Sequence, residues 1–303
     1  MKEGLFTALG NGNIVGVTGF VLARLVSAKG ELIEATQHLR PDLLWALCGA
    51  GHFFRLVTQL VIKVYLVSLL GTKNGNLCAS TFVFHLDSAK DVATVMEPLM
   101  DDSRYATSGL IMIMAPPLAR KPSILISLLY DLKPLVAKGS QVPIQNISDR
   151  REAIDAKGDF KRFGIVGLRR FDIESFLRTI EVWKELVTDC PNAIDTAFNF
   201  QWDSKPVKTP SFDSAMCLHD TRFYQNNLIW HTDPKNRGTV DEYNERCLAI
   251  MRGPNTGEWA DYQNATRSGP IELRFRGKDR LARLQRLKKE WDPTGVFTTQ
   301  LLE

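Results

Sequence analysis

The chain has 303 residues, 44% hydrophobic and 24% charged, a globular balance with enough length for one large or two ordinary domains. A formal charge of +4 is far short of the Lys and Arg density that grips a phosphate backbone, which argues against nucleic acid as a partner. The five cysteines (Cys48, Cys78, Cys190, Cys217, Cys247) are odd in number and never spaced C-x-x-C, so neither a disulfide framework nor a zinc site is indicated.

No uninterrupted apolar run reaches the roughly 18 residues that would span a bilayer. The nearest, Leu56 to Leu70, is interrupted by Thr58, Gln59, Lys63 and Ser68, so no membrane partner is expected. Met1 to Gly19 lacks the compact apolar stretch of a secretory signal and is broken by Gly10, Gly12, Gly16 and Gly19. With Met1 as the genuine start, the expectation is a cytoplasmic protein.

In chain order, Phe20 to Val26 is β-rich, Lys29-Gly30 supplies a turn, and Glu31 to Thr36 alternates as a return strand, which predicts a hairpin. Pro41-Asp42 starts a helix through LLWALCGAG, whose glycines stop it, and Thr58 to Val67 resumes as a strand. Thr81 to His85 is extended. Ser88 with Asp91 resembles a capping box ahead of the stripe Val92, Val95, Met96 and Leu99.

Leu110 to Ala115 and Ser123 to Tyr130 predict an antiparallel pair turned by Pro116, Pro117 and Pro122, and Leu132 to Lys161 reads as loop. Asp172 caps a helix with Phe176, Leu177, Ile180, Trp183 and Leu186 on one face. Thr196 to Trp202 and Asn227 to His231 follow as strands, and Thr239 with Glu242 caps a helix through Met251. The pattern implies an α+β layer, an antiparallel sheet covered on one face by helices.

The series Gly10, Gly12, Gly16, Gly19 follows no strand and is not spaced G-x-G-x-x-G, so it does not define a dinucleotide loop. None of the five histidines pairs at i, i+4 around a carboxylate as zinc-protease chemistry requires, and no G-x-S-x-G elbow occurs. The basic run from Arg274 to Lys289 is interleaved with Leu281, Leu284, Leu287 and Trp291 at helical spacing. It predicts an amphipathic helix with a solvated basic face.

Two stretches carry a resemblance. The first, FVLARLVSAKGELIEAT followed by PDLLWALCGAGHFFRLVTQLVIKVY, is similar to the end of the flavin-binding domain in the berberine bridge enzyme-like, PCMH-type FAD-linked oxidoreductases, with its strand, turn, strand and "D-L-x-W-A-L-x-G-[AG]-G-x-N-F-G-[IV]-V-T". The second, YQN at Tyr262 to Asn264 with a trailing helix that ends in WDPTGVF, resembles the family's "Y-x-N … K-x-x-x-D-P-x-x-x-F".

The resemblance covers nearly the whole chain from Phe20. It implies three parts: the C-terminal remnant of an FAD-binding domain over 1–66, a substrate domain with an antiparallel sheet over 67–255, and a segment returning to the flavin domain over 256–303. It further implies FAD as cofactor, a small organic substrate, such as a secondary metabolite, oxidised by hydride transfer, and dioxygen as acceptor.

Carried over residue by residue, Gly49, Ala50 and Gly51 let backbone amides approach the cofactor, flanked by His52, Phe54 and Val57. Tyr262 is placed as the catalytic base and Asn264 as a hydrogen-bonding partner of the flavin edge. Asp292-Pro293 ends the last helix, a structural role.

The chain departs from the pattern where the family has N-F-G. Here Phe53, Phe54 and Arg55 stand, and a side chain at a glycine position of positive φ costs about 1–2 kcal/mol. A G-G-H-type phosphate loop and a covalently flavinylated residue, expected ahead of Phe20, are not found there, so the chain reads as N-terminally truncated with no covalent attachment residue. The alternative expectation is a non-catalytic remnant or small-molecule-binding module that holds no flavin. Oligomeric state is left open.

Overall fold

A computed structural model describes residues 20–54, 56–62, 76–101, 107–116, 120–130, 140–143, 158–203, 213–215, 221–253, 271, 275, 278–299 and 301–302. The glycine series before Phe20, the end of the strand expected through Val67, Arg55, Tyr262 and Asn264 lie outside these residues.

The predicted hairpin forms from β1 (Phe20–Val26) and β2 (Leu32–Thr36), with Leu25 opposite Ile33. α1 (Pro41–Ala50) follows, with proline in its first turn, where a missing N–H costs nothing. β3 (Leu56–Ile62) pairs antiparallel with the other side of β1, giving the order β2-β1-β3. Ala23, Leu25 and Ala35 on one face bury against Leu43, Leu44 and Cys48 of α1. β3 lies at the end of this order and gets no such cover: Leu56 is 62%, Leu60 40% and Val61 42% exposed.

The larger layer begins with β4 (Asn76–His85) and α2 (Ala89–Met100), then β5 (Thr107–Met114), β6 (Ser123–Tyr130), β7 (Ser140–Pro143) and β8 (Phe160–Leu168). α3 (Ile173–Asp189), β9 (Phe198–Trp202), β10 (Phe223–His231) and α4 (Arg237–Arg252) complete it, and α5 (Lys278–Trp291) follows, packed on α1. The sheet order is β7-β4-β6-β5-β9-β10-β8, antiparallel at every pairing.

One face of this sheet is the main core. Ile111, Ile113, Phe198, Phe200 and Trp202 point at α2, α3 and α4, where Met96, Phe176, Ile180, Trp183 and Leu248 meet them. Each such large side chain contributes about 1.5–3 kcal/mol relative to exposure. The approach of β5 to its neighbours is tight: a Cβ at Gly109 would stand 2.2 Å from the Ser127 carbonyl oxygen and 2.8 Å from the Trp202 ring. The α+β class and the helix-covered antiparallel sheet are as the sequence predicts.

The Asp172 cap forms, its carboxylate accepting from the Ser175 N–H at 2.9 Å. Four expectations are corrected. Ser88 makes no side-chain cap; a 3-10 turn over Leu86–Ser88 leads into α2 instead, with His85 Nδ1 accepting from the Asp87 N–H at 3.4 Å. Thr239 lies inside α4, which starts at Arg237 behind a 3-10 turn (Pro234–Asn236) held by Asp233, whose side chain accepts from the Lys235 N–H at 2.9 Å. The stretch from Leu132 to Lys161 is not all loop: β7 pairs with the distant β4, a partner that leaves no local hairpin signal, and β8 begins at Phe160. β10 also starts four residues before the predicted Asn227, since the polar run Gln225, Asn226, Asn227 hides a strand buried on both faces.

Candidate functional site

The first half of the site is the turn that ends α1. Cys48 (ψ 69) and Gly49 (φ 134) leave helical geometry, and a 3-10 turn over Gly51–Phe53 follows, closed by the Phe54 N–H donating to the Gly51 carbonyl at 3.2 Å. A φ of 134 is open to glycine and strained for any side chain. Gly51 differs: its φ is −56, and an added Cβ would meet only Leu47 Cδ2, at 3.6 Å. We therefore expect Gly49→Ala to lower stability by about 1–3 kcal/mol in urea denaturation, with Gly51→Ala as a near-neutral control. Equal effects would remove the backbone argument.

Ala50, Phe53 and Phe54 are buried, whereas Val57 stands half-exposed on β3 opposite Leu25. The side chain of His52 lies outside the described residues. Burial pushes the Cys48 thiol up to about 12, so it stays protonated at neutral pH and offers no thiolate beside the turn.

The second half is α5 and the segment after it, which pack on α1. Trp45, Phe53 and Phe54 share a cluster with Leu284, Leu287 and Leu301, and Phe53 meets Phe275 edge-on at 5.9 Å between ring centroids. Arg283 reaches Asp42 in the first turn of α1 and Asp213 at 3.0 Å, with its guanidinium 4.0 Å above the Trp45 ring.

The basic helix is not solvated all along its polar residues, which corrects the sequence expectation. Lys288 and Asp292 are both 0% exposed. Lys288 Nζ donates to the Asp292 carboxylate and to the carbonyl of Phe53. Helical spacing explains this placement: Lys288 follows Leu284 by four positions and Leu287 by one, on the side that faces α1. Asp292 also accepts from the Val296 N–H at 2.8 Å and the Phe297 N–H at 3.1 Å, closing the WDPTGVF turn. Burial pushes its carboxyl up, but the Lys288 ammonium and the amides of Phe297 and Val296 outweigh this and hold it below the usual carboxylate range.

Beside these two halves lies the sheet face turned away from α2, α3 and α4. Leu110, Met112, Met114, Ala197, Leu228 and Trp230 form one apolar cluster there, with no described helical residue in it. Asn199 sits opposite Met112, and its buried side-chain oxygen has no hydrogen-bond partner among the described residues. Tyr224 alternates onto the same face and packs among Ala23, Leu25, Leu43 and Leu44, so this face adjoins the β1–β3 unit. Sequence reasoning pointed to strands at 110–115 and 196–202 without resolving which side chains face inward, and Asn199 carries no signal beyond alternation.

The structure brings together Gly49, Ala50, Gly51 and Phe54 with α5. Tyr262 and Asn264 lie outside the described residues, so their distance from the turn is not part of this geometry. Among the described residues, no group of three or more His, Cys, Asp or Glu is placed to hold a metal ion, and no helix is long and apolar enough to cross a membrane.

The fold, an α1 turn leading to an antiparallel sheet with helices on its far side and a C-terminal helix returning to that turn, is shared with solved structures of berberine bridge enzyme and oligosaccharide oxidases. A xylooligosaccharide oxidase from Myceliophthora thermophila C1, solved with xylobiose, superposes with a TM-score of 0.69 at 14% identity, covering 93% of this chain and 65% of that one. A berberine bridge enzyme variant described as a reticuline dehydrogenase gives a TM-score of 0.70 at 13% identity, over 94% and 65%.

In sequence, the chain is 20% identical to the FAD-linked oxidoreductase tazL of Aspergillus terreus across 95% of its own length and 63% of that relative. It is 24% identical to the FAD-linked oxidoreductase afoF of Emericella nidulans across 93% and 62%. No family model matches. The chain is thus similar in sequence to FAD-linked oxidoreductases and shares its α+β fold with berberine bridge enzyme-like structures, and it spans less than two thirds of the length of these two curated relatives.

Proposed function

We propose that this chain contributes to an FAD-linked oxidoreductase that oxidises a small organic substrate, of the secondary-metabolite kind, with dioxygen as final acceptor. The observation that carries the reading is the Gly49 kink, which turns an otherwise regular helix into a non-helical backbone turn beside the sheet face turned away from α2, α3 and α4. The residues present fit one edge of FAD. Gly49 holds a conformation that a side chain would strain, Gly51 leaves room beside the amides, and Asn199 offers an unpartnered buried oxygen on the adjoining face.

On this reading residues 1–66 belong to the flavin-binding part, 67–255 to the substrate domain and 256–303 to the returning segment. The amides of Gly49, Ala50 and Gly51 would hold the cofactor, with His52, Phe54 and Val57 flanking it and Asn264 supplying amide hydrogen bonds. Bound FAD supplies a two-electron acceptor for hydride leaving the substrate. Tyr262 takes the substrate proton, which requires its phenol to fall from an ordinary value of about 10 or to act in concert with hydride departure. Met112, Met114, Leu228 and Trp230 would line an apolar wall toward the substrate.

The test is reconstitution of the purified chain with excess FAD, followed by the visible spectrum and thermal melting. Cofactor at about a hundred times its Kd should add about 2.7 kcal/mol of stability. No flavin absorbance and no FAD-dependent shift would remove the reading for this chain. A second reading, a folded module without redox chemistry, draws on Phe53 and Phe54: both are fully buried against α5, so the turn is packed by the protein's own side chains. It predicts cooperative unfolding indifferent to FAD.

A further inference from the structure

The Lys288–Asp292 pair is an expensive way to build a helix terminus. Two charges without solvent exposure forfeit their hydration, and an apolar pair of similar size would fill the same space without that cost. What an apolar pair would not do is fix a backbone carbonyl. Lys288 Nζ spends one of its three donors on the carbonyl of Phe53, the last residue of the 3-10 turn, and another on Asp292. Asp292 in turn accepts the Val296 and Phe297 amides. One buried ammonium therefore joins the α1 turn, α5 and the WDPTGVF segment at a single point.

The opposite end of the same interface is fixed independently. Arg283 holds Asp42 at the start of α1 and lies over Trp45. α5 thus grips α1 at its first turn and again just past its last, and the kink at Gly49 lies between the two grips. A helix that breaks at a glycine has little of its own to set the direction of the following turn. The second grip supplies it.

We propose that Lys288 and Asp292 are a positioning pair that sets the Gly49–Phe54 turn for flavin, so that the C-terminal helix governs cofactor affinity without touching the cofactor. The cofactor clause rests on the function proposed above; the clamp itself does not. Its signature is local: the pair should control how often the turn opens, while the distant sheet is unaffected.

The test compares the full chain with the double variant Lys288→Met/Asp292→Asn, which leaves no buried charge and keeps an amide oxygen for the Val296 N–H. Native-state hydrogen exchange reads the Phe54 amide, and FAD titration followed by flavin fluorescence reads affinity. Expected are exchange at Phe54 at least about tenfold faster, unchanged protection in β5 and β6, and an FAD Kd raised about tenfold or more. Should the double variant fold poorly, Arg283→Gln, which loosens only the first grip, keeps the comparison: it should leave Phe54 protected.

Unchanged Phe54 exchange in the folded double variant overturns the clamp. Faster exchange with an unaltered FAD Kd overturns its role in holding flavin. A wild-type chain that takes up no FAD defeats the flavin reading but not the clamp, which the exchange data decide alone.

Discussion

Replacing Lys288 alone by Met is expected to destabilise the fold by about 3–5 kcal/mol, among the largest effects open to a single substitution here. The size follows from what is left behind. Asp292 keeps its burial and two backbone amides but loses the only cation bonded to it among the described residues. The Phe53 carbonyl loses the Lys288 donor in the same step. Adding Asp292→Asn removes the stranded charge and should restore a substantial part of the loss. Urea denaturation of both variants measures this, and a single variant as unstable as the double, or less so, would contradict a buried ion pair.

The same pair has a pH signature. Asp292 is held below the usual carboxylate range in the folded chain, so its ionisation adds stability that is fully present above the unfolded value of about 4. That contribution is lost as pH falls through the folded value. The acid limb of the wild-type stability curve should therefore be steeper than that of the Lys288→Met variant, in which the carboxylate has lost its cation.

The second large effect is expected at Gly109. A Cβ there would meet the Ser127 carbonyl oxygen at 2.2 Å and the Trp202 ring at 2.8 Å, both held by strand pairing on either side of β5. A flexible side-chain tip can swing aside; a ladder carbonyl and a fully buried indole cannot without moving two strands. Gly109→Ala should cost about 3 kcal/mol or more, at the upper end of overpacking. Gly238→Ala on α4, where a Cβ meets nothing within 4 Å, is the control. A shift of less than about 1 kcal/mol at Gly109 would mean that the sheet yields more readily than its register implies.

Where the chain's local chemistry is self-sufficient, the sequence was informative. The β1–β2 hairpin, the proline start of α1, the Asp172 cap and the β5–β6 pair each depend on residues a few positions apart. What stayed hidden depends on distant partners. β7 exists because β4 lies beside it, and Ser88 is relieved of capping because a 3-10 turn arrives first. Lys288 is the sharpest case: counted by charge it belongs to a basic helix surface, and its burial depends on the carbonyl of Phe53, 235 residues away, as well as on Asp292 one turn on. The family pattern located the α1 turn, but neither that pattern nor strand alternation identified the grip holding it. Asn199 was likewise invisible until the sheet's two faces were distinguished.

β3 brings a liability of a different kind. Its seven residues, LVTQLVI, contain no charge and no proline, four of its aliphatic side chains are exposed, and among the described residues it ends the β2-β1-β3 order. Charged edge residues, prolines and bulges that twist an edge away are the usual protections against strand-to-strand association between molecules, and β3 has only the irregular register it shares with β1. Among the described residues, then, the apolar bulk that supports folding lies in the large sheet and its helices, while the uncharged strand most open to pairing with a second copy lies in the small sheet, so a charge introduced at Val61 is expected to raise the concentration at which the chain stays dispersed with little change in folding stability.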